Sequence, residues 1–418
     1  MKCIAVFVVN MNSGGIEKTI SLLLPTWLEL GYKIVLISAF KENEIDFKWN
    51  YDGVYREYVY RYLWDDIDSV KKQLRKIYKK YNVNIAIFNS WSSKRVFDFA
   101  CFSHEFNIPF VVYTHNHYEE LSTVPAYELW DIYRGYREAD LVLCLTEDTC
   151  RLYKELDINA VFIQNPIDKQ YADVERSELN SNTVLWVGRM HDIKNPAAMI
   201  ETFKIIHDAM PEVRLQMVGE IGEDEMNVVD MVSRYGLEEV VKFEGFQKDV
   251  DRYYRNASVY VMTSKCEANP NTIIESKAHG LPCAMFELPN IIWCKNPKGI
   301  ITSKQNDYSE LAKNIIKIMQ DKSSRNELGN QAYESIRDAL EYDLFKVWKE
   351  ILSIKVSDNK NIVYDYNPKY EFIFRLIKNS KERYEFDMKC ETECWERKIG
   401  NIILKIPRII QRYIDSLQ

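Results

Sequence analysis

A chain of 418 residues, 46% hydrophobic and 28% charged, is neither a disordered nor a fibrous polymer and is long enough for two globular cores and an appendage. Its formal net charge of −7 excludes a general nucleic-acid binder, which would show a basic face, so any cations that meet a phosphate must be placed locally. No run approaches the roughly 18 apolar residues of a membrane span, Ile4 to Val9 is too short for a secretory leader, and nine cysteines, most inside apolar runs, fit a reducing cytoplasm.

In chain order, Lys2 to Val9 reads as a buried parallel strand, Asn10 to Gly15 as a tight loop, and Ile16 to Leu30 as a helix kinked at Pro25. Gly31 leads into a second strand, Lys33 to Ser38, which completes a β-α-β unit with a glycine pair at its first strand-to-helix handover. Without side chains, Gly14 and Gly15 let a ligand reach the backbone and the helix start. Their spacing is not the dinucleotide G-x-G-x-x-G, and a plain turn is the alternative. Helix Ile67 to Tyr81, strand Ile85 to Asn89, helix Lys94 to Phe106 and strand Phe110 to Thr114 continue the alternation, which implies a parallel sheet with ligands beyond the carboxyl ends of its strands. His115 follows such an end directly, which favours a functional role for it more than for His117; a satisfied loop histidine is the alternative for each. A helix through Tyr133 to Arg137 and strands Asp140 to Leu145 and Val161 to Gln164 follow. The pattern breaks at Asn165-Pro166-Ile167-Asp168, and the polar Tyr171 to Asn182 reads as a linker.

The pattern restarts with strand Thr183 to Val187, followed by Gly188-Arg189-Met190-His191-Asp192-Ile193-Lys194, and Asn195 with Pro196 opens a helix to about Met210. Arg189 and Lys194 are thus cations at a strand end beside a helix start, suited to a phosphate as a planar fork and a point charge. Strand Val213 to Val218, helix Glu223 to Tyr235 and strand Val240 to Phe243 lead to Gly245 and Phe246, which could hold a nucleobase against an apolar wall. After helix Asp249 to Asn256 and strand Ala257 to Thr263 comes S-K-C-E-A-N-P-N-T-I-I-E-S-K-A-H-G-L-P, in which Asn269 is expected to cap a helix, Pro270 to occupy its first position, and Gly280 with Pro282 to stop it. Glu267 precedes this helix and Glu275 lies within it, on the face of Asn271 and Thr272. One end of the stretch can hold an anion on free N–H groups and the other hydroxyls on a carboxylate; an ordinary capped helix is the alternative. Cys283 to Phe286 is the next strand.

Asp66-Ile67-Asp68 and Asp249-Val250-Asp251 match the metal-binding D-x-D pattern but read as helix-starting carboxylates of favourable dipole sign. Cys390 and Cys394 lack a second ligand pair, so no metal site is expected. Leu344, Val347, Trp348 and Ile351 form a helical apolar stripe, expected to cross back onto the first domain. Tyr370, Ile373, Phe374 and Ile377 form another. A last stripe, Ile402, Ile406, Ile410, Tyr413 and Leu417, opposes Lys405, Arg408 and Arg412, which suits an anionic membrane surface or packing on the body or a second subunit.

Taken together, Gly14-Gly15 in G-G-I-E-K, His115, Asn165, G-R-x4-K from Gly188 to Lys194, and E-x7-E from Glu267 to Glu275 resemble the retaining glycosyltransferases of family 4 over residues 1 to 355. The resemblance implies an α/β, GT-B architecture of two Rossmann-like β/α/β domains facing across a cleft. Their boundaries fall at 1–170 for the acceptor-side domain and 183–343 for the nucleotide-sugar domain, with a linker at 171–182, a crossover helix at 344–356 and a helical tail at 357–418. It further implies that Arg189 and Lys194 bind the donor diphosphate, that Glu275 holds the ribose hydroxyls, and that Glu267 faces the transferred sugar near the N–H groups of Asn271 and Thr272. Gly14 and Gly15 would close over the diphosphate, and His115 would contact the sugar. The residues after the first glutamate, Ala268, Asn269, Pro270 and Asn271, depart from the small and aromatic residues common there, which bears on donor choice.

The implied activity is metal-independent, cofactor-free retaining transfer from a nucleotide-sugar to a glycan acceptor, lipid-linked, in cell-surface or capsular polysaccharide synthesis at the cytoplasmic face of a membrane, with no nucleic-acid partner. A phosphorylase or epimerase on the same fold and a catalytically silent partner subunit are the alternatives.

Overall fold

Each half of the chain forms one parallel sheet. The computed structural model describes residues 2–357 except 10, 12, 13, 41–48, 61–65, 90–92, 94, 125, 221, 223 and 224, and beyond them Lys378, Lys381 and Glu382. The first lobe contains β1 (Lys2–Val8), β2 (Tyr32–Ser38), β3 (Val54–Tyr58), β4 (Val83–Phe88), β5 (Phe110–Tyr113), β6 (Leu141–Cys144) and β7 (Ala160–Phe162), in the order β3-β2-β1-β4-β5-β6-β7. The second contains β8 (Thr183–Val187), β9 (Arg214–Val218), β10 (Val241–Gly245), β11 (Val259–Met262), β12 (Cys283–Phe286) and β13 (Ile300–Ser303), in the order β10-β9-β8-β11-β12-β13.

The continuous apolar runs are explained by burial on both faces of each sheet. Along β1, Cys3, Ala5 and Phe7 enter one core layer while Ile4, Val6 and Val8 enter the opposite one. Along β11, Val259 and Val261 alternate with Tyr260 and Met262 in the same way. In both sheets the strand order reverses beside the first strand, between β1 and β4 and between β8 and β11. Loops leaving the carboxyl ends of those strands diverge and open a crevice there, which is where sheets of this kind bind ligands.

Several elements go beyond those expected: the edge strands β3 and β13, and helices Glu147–Glu155, Tyr308–Gln320 and Lys322–Leu340. The helix expected at Tyr133 to Arg137 runs from Ala126 to Glu138. Residues 171–182, polar as they are, lie against the second lobe: Ser177 N–H donates to the His279 carbonyl at 2.9 Å, and Arg325 Nε to the Leu179 carbonyl at 2.8 Å.

Helix Leu344–Ile351 returns to the first lobe. Its Trp348 is fully buried, edge-on to Trp27 with ring centroids 5.0 Å apart. The Tyr32 hydroxyl donates to the Leu352 carbonyl at 3.0 Å, and the chain continues to Ser357, whose N–H donates to Asp140 Oδ1 at 2.7 Å. The apolar stripes at 370–377 and 402–417, with Cys390 and Cys394, lie outside the described residues. Among the described residues no helix is long and apolar enough to cross a membrane.

Candidate functional site

The loop after β8 is shaped by what holds it. Gly219, at the end of β9, has φ +149°, and a Cβ there would lie 1.9 Å from the Gly188 carbonyl oxygen, so only glycine lets the two strand ends approach this closely. Thr263, just past β11, accepts from Trp186 Nε1 at 3.0 Å and turns its hydroxyl to the carbonyls of Lys194 and Asn195 at 3.1 and 2.9 Å. Lys265 N–H donates to the Ile193 carbonyl at 2.8 Å. The G-R-x4-K loop is therefore strapped to the segment carrying Glu267. Lys194 Nζ donates to Glu267 Oε1 at 2.5 Å, and the Ser264 hydroxyl donates to the same oxygen at 2.7 Å. Glu267 is buried, while Arg189 is exposed and has no ionic partner among the described residues.

The helix after Glu267 spans Asn271–Ala278, one residue later than a cap at Asn269 would give. Asn269 does not cap it. Its side-chain oxygen accepts from Trp293 Nε1 at 3.0 Å and its carbonyl from Asn165 Nδ2 at 3.3 Å. Pro270, extended at φ −70° and ψ 120°, takes the cap position, and no side chain caps the helix. Its first N–H groups have no acceptor within the helix and carry its positive dipole end. Asn271 Nδ2 points to the Gly15 carbonyl at 3.5 Å, and the Thr272 hydroxyl accepts from Tyr260 at 2.7 Å. One turn on, buried Glu275 accepts from Tyr254 at 2.8 Å on Oε2 and from Lys18 Nζ at 2.6 Å on Oε1. Lys18 also reaches the Tyr171 hydroxyl at 2.8 Å. Burial opposes the charge of Lys18, but Glu275 and Tyr171 outweigh it and raise its pKa.

Gly14 and Gly15 stand at the start of helix Gly15–Glu29, with Gly14 in the extended cap position. His115 lies beyond β5 with its ring against Tyr113, centroids 4.1 Å apart. Its Nε2 is 3.0 Å from Asn89 Oδ1, and the Asn89 amide nitrogen donates to the Phe7 carbonyl at 3.1 Å, which turns the amide oxygen toward the histidine. Burial lowers the His115 pKa to about 3, so the ring is neutral, donates through Nε2 and keeps Nδ1 as an acceptor. Tyr113 donates to Asn165 Oδ1 at 3.1 Å, so Asn165 joins the His115 strand end to Asn269 across the lobes. Gly245 ends β10 at φ +64°, two strands from β8, and Phe246 beyond it is 45% exposed, sharing no hydrogen bond or ring contact with the Lys194–Glu267 pair.

Asp66 of the first D-x-D accepts from Ser69 N–H at 2.9 Å and caps helix Ile67–Tyr81. Asp251 of the second lies in the first turn of helix Asp251–Asn256. In the sequence Lys18 stands within G-G-I-E-K with no role expected of it, Tyr171 only opens a polar linker, and Tyr254 belongs to no motif. Only the position of Lys18, one turn into a helix that opens on a glycine pair, signalled it.

Two family models match in succession: Glycosyltransferase Family 4 over residues 13–171 and Glycosyl transferases group 1 over residues 168–335. An uncharacterized glycosyltransferase of Haemophilus influenzae is 25% identical over 316 residues, 74% of this chain and 86% of that protein. The amylovoran biosynthesis glycosyltransferase AmsD of Erwinia amylovora is 26% identical over 178 residues, 41% of this chain and 48% of its own. Among solved structures, HepE of Anabaena in complex with UDP and glucose superposes with a TM-score of 0.71 at 15% identity, covering 85% of this chain and 100% of that one. Sucrose-phosphate synthase of Thermosynechococcus elongatus gives 0.70 at 18% identity, covering 84% and 98%.

Proposed function

Since the chain belongs to the family 4 glycosyltransferases of GT-B fold, we propose that it moves a sugar from a nucleotide-sugar donor to a glycan acceptor with retention of configuration and without a metal ion. The observation that carries this reading is the junction of β8 and β11. There a lysine-glutamate pair, an exposed arginine and a helix start without a side-chain cap stand at the carboxyl ends of adjacent strands.

Breaking a sugar-phosphate bond leaves negative charge on the departing diphosphate, and preorganised donors aimed at it are the largest available source of rate. Arg189, Lys194 and the N–H groups of Asn271 and Thr272 take that charge. Glu275 receives the ribose hydroxyls, with Tyr254 holding its carboxylate in place and Lys18 giving way. Glu267, anchored by Lys194 and Ser264, faces the sugar. Neutral His115 accepts a sugar hydroxyl on Nδ1. In the front-face transfer that the family resemblance favours, the diphosphate oxygen takes the acceptor proton on the same face. That HepE was solved with UDP and glucose supports a nucleotide-sugar donor. The names of relatives in amylovoran and lipopolysaccharide core synthesis support a surface glycan as acceptor. The amphipathic pattern of the terminal stripe supports a lipid-carried acceptor at the cytoplasmic face.

The test has two stages. Nucleotide-sugars are screened for thermal stabilisation, where a ligand at 100 times its dissociation constant adds about 2.7 kcal/mol. The donor found is then supplied with glycan acceptors under a chelator, and the anomeric configuration of the product is read by NMR. Arg189→Ala should lower kcat by roughly 10²- to 10³-fold. An inverted product, parent-like turnover by Arg189→Ala, or loss of turnover on chelation would sink the reading.

A further inference from the structure

Outside the residues given a role above, one cluster joins the lobes. His117 and Glu119 lie in the first lobe, at the start of the 3-10 turn Tyr118–Thr123 that follows β5. Cys266 lies in the second, one residue before Glu267. One imidazole nitrogen, one carboxylate oxygen and the thiol sulfur of these three all fall within 4.8 Å of one another, with His117 Nδ1 3.6 Å from Glu119 Oε2. The other ring nitrogen, Nε2, is 3.1 Å from Asp148 Oδ2. His117 is almost fully buried, Cys266 half-buried and Glu119 exposed. Beside them, Lys295 of the second lobe reaches Glu147 of the first at 2.5 Å, so the lobes meet here.

We infer that His117, Glu119 and Cys266 form an interlobe site for a thiophilic divalent cation of the zinc class. The donor set selects the metal. Thiolate and imidazole suit zinc, whereas magnesium and calcium take oxygen ligands and would not compete. The spacing fits. Bonds of about 2.0–2.3 Å around a tetrahedral ion put ligand atoms roughly 3.3–3.8 Å apart, an inward movement of about 1 Å or less from the present positions. Asp148 stands behind His117 as the carboxylate that commonly orients a metal-bound imidazole and fixes which nitrogen faces the ion. With three protein ligands the fourth position stays open for water. Because the ligands come from both lobes, a bound ion ties the lobes together next to Glu267 and holds back the opening that exchanges substrates. The site is therefore inhibitory, and it demands nothing of the transfer chemistry. Only that activity arm rests on the proposed transferase reading.

The full chain, stripped of metal by chelation, is titrated with zinc against a competing chromophoric chelator. One saturable equivalent is expected, abolished in Cys266→Ser and weakened about 10- to 100-fold in Asp148→Asn. Cobalt in place of zinc should show a thiolate-to-metal charge-transfer band that Cys266→Ser lacks, and excess magnesium should displace neither ion. Absence of saturable binding, or equal binding by parent and Cys266→Ser, overturns the site. Cys266→Ser carries the test because the partly exposed serine variant leaves the buried His117–Asp148 pair intact. In the activity arm, zinc should slow transfer by the parent and not by Cys266→Ser. Transferase activity that zinc leaves untouched while binding persists would overturn the inhibitory role alone, and a chain without transferase activity that still binds zinc would leave the site standing and count against the proposed function.

Discussion

Glu275 has both carboxylate oxygens engaged, by Lys18 from the opposite lobe and by Tyr254 from its own. The two partners have different fates when a ribose arrives. Lys18 must yield its place, whereas Tyr254 goes on orienting the carboxylate. Tyr254→Phe removes a hydrogen bond to a charged group, worth about 1.5 kcal/mol. The donor KM should rise about tenfold with kcat little changed, read from initial rates over a donor series. Two positions further along the helix, Lys277 is fully buried, donating to the Lys298 carbonyl and the Ser335 hydroxyl, each at 2.8 Å. Burial lowers its pKa to about 8, against about 10.4 in an unfolded chain. Between those values the unfolded chain binds more protons, so the contribution of Lys277 to stability rises as pH climbs through the window and is smallest below it. Urea midpoints should therefore show the parent gaining on Lys277→Met between pH 7.5 and pH 10.5; parallel curves would refute the buried lysine's role.

At the scale of elements, the G-R-x4-K loop depends on a glycine just past the neighbouring strand β9. A Cβ at Gly219 would strike the Gly188 carbonyl, and a backbone atom cannot swing aside as a flexible side chain can. Gly219→Ala should displace Arg189 and Lys194 together, giving a folded protein that nucleotide-sugars no longer stabilise in a thermal melt. Strands of the second sheet were legible where the apolar run was unbroken: Thr183 to Val187 and Cys283 to Phe286 are β8 and β12 to the residue. The edge strands β3 and β13 were not. β3 reads V-Y-R-E-Y, in which Arg56 and Glu57 interrupt the apolar run and both tyrosines are exposed, and among the described strands it pairs with β2 alone. The late helix start was hidden for a different reason. Asn269 is a good cap by type, but its side chain is claimed by Trp293, which no local rule weighs. Still further beyond local pattern is the contact of Lys18 with Glu275, 257 positions apart. Helices Tyr308–Gln320 and Lys322–Leu340 lacked a motif to draw attention to them, although their caps at Asp307 and Asp321 are of the ordinary kind.

At the scale of the whole molecule, the lobes are joined by contacts that a bound donor would have to rearrange. Lys18 and Glu275 are largely withdrawn from water, at 21% and 8% side-chain exposure, and removing one member of a buried pair costs about 3–5 kcal/mol. Lys18→Met should favour an open arrangement, seen in solution scattering as a larger radius of gyration than the parent's. A donor that binds Glu275 should shrink the difference. Identical scattering profiles would show that Lys18 does not hold the lobes.

The return of helix Leu344–Ile351 to the first lobe means that this lobe is not encoded by one uninterrupted stretch. Trp348, Ile351 and Leu352 belong to the same apolar layer as Ile4, Leu23 and Trp27. A fragment ending at residue 170 would leave a greasy slot open beside Trp27, and adding the missing peptide in trans should rescue its solubility. Within the described residues the polypeptide also passes between the lobes twice, outward near Asn165 and back just before Leu344. Two strands of backbone spaced apart act like the two leaves of a door hinge: they permit swinging about the line between them and resist twisting across it.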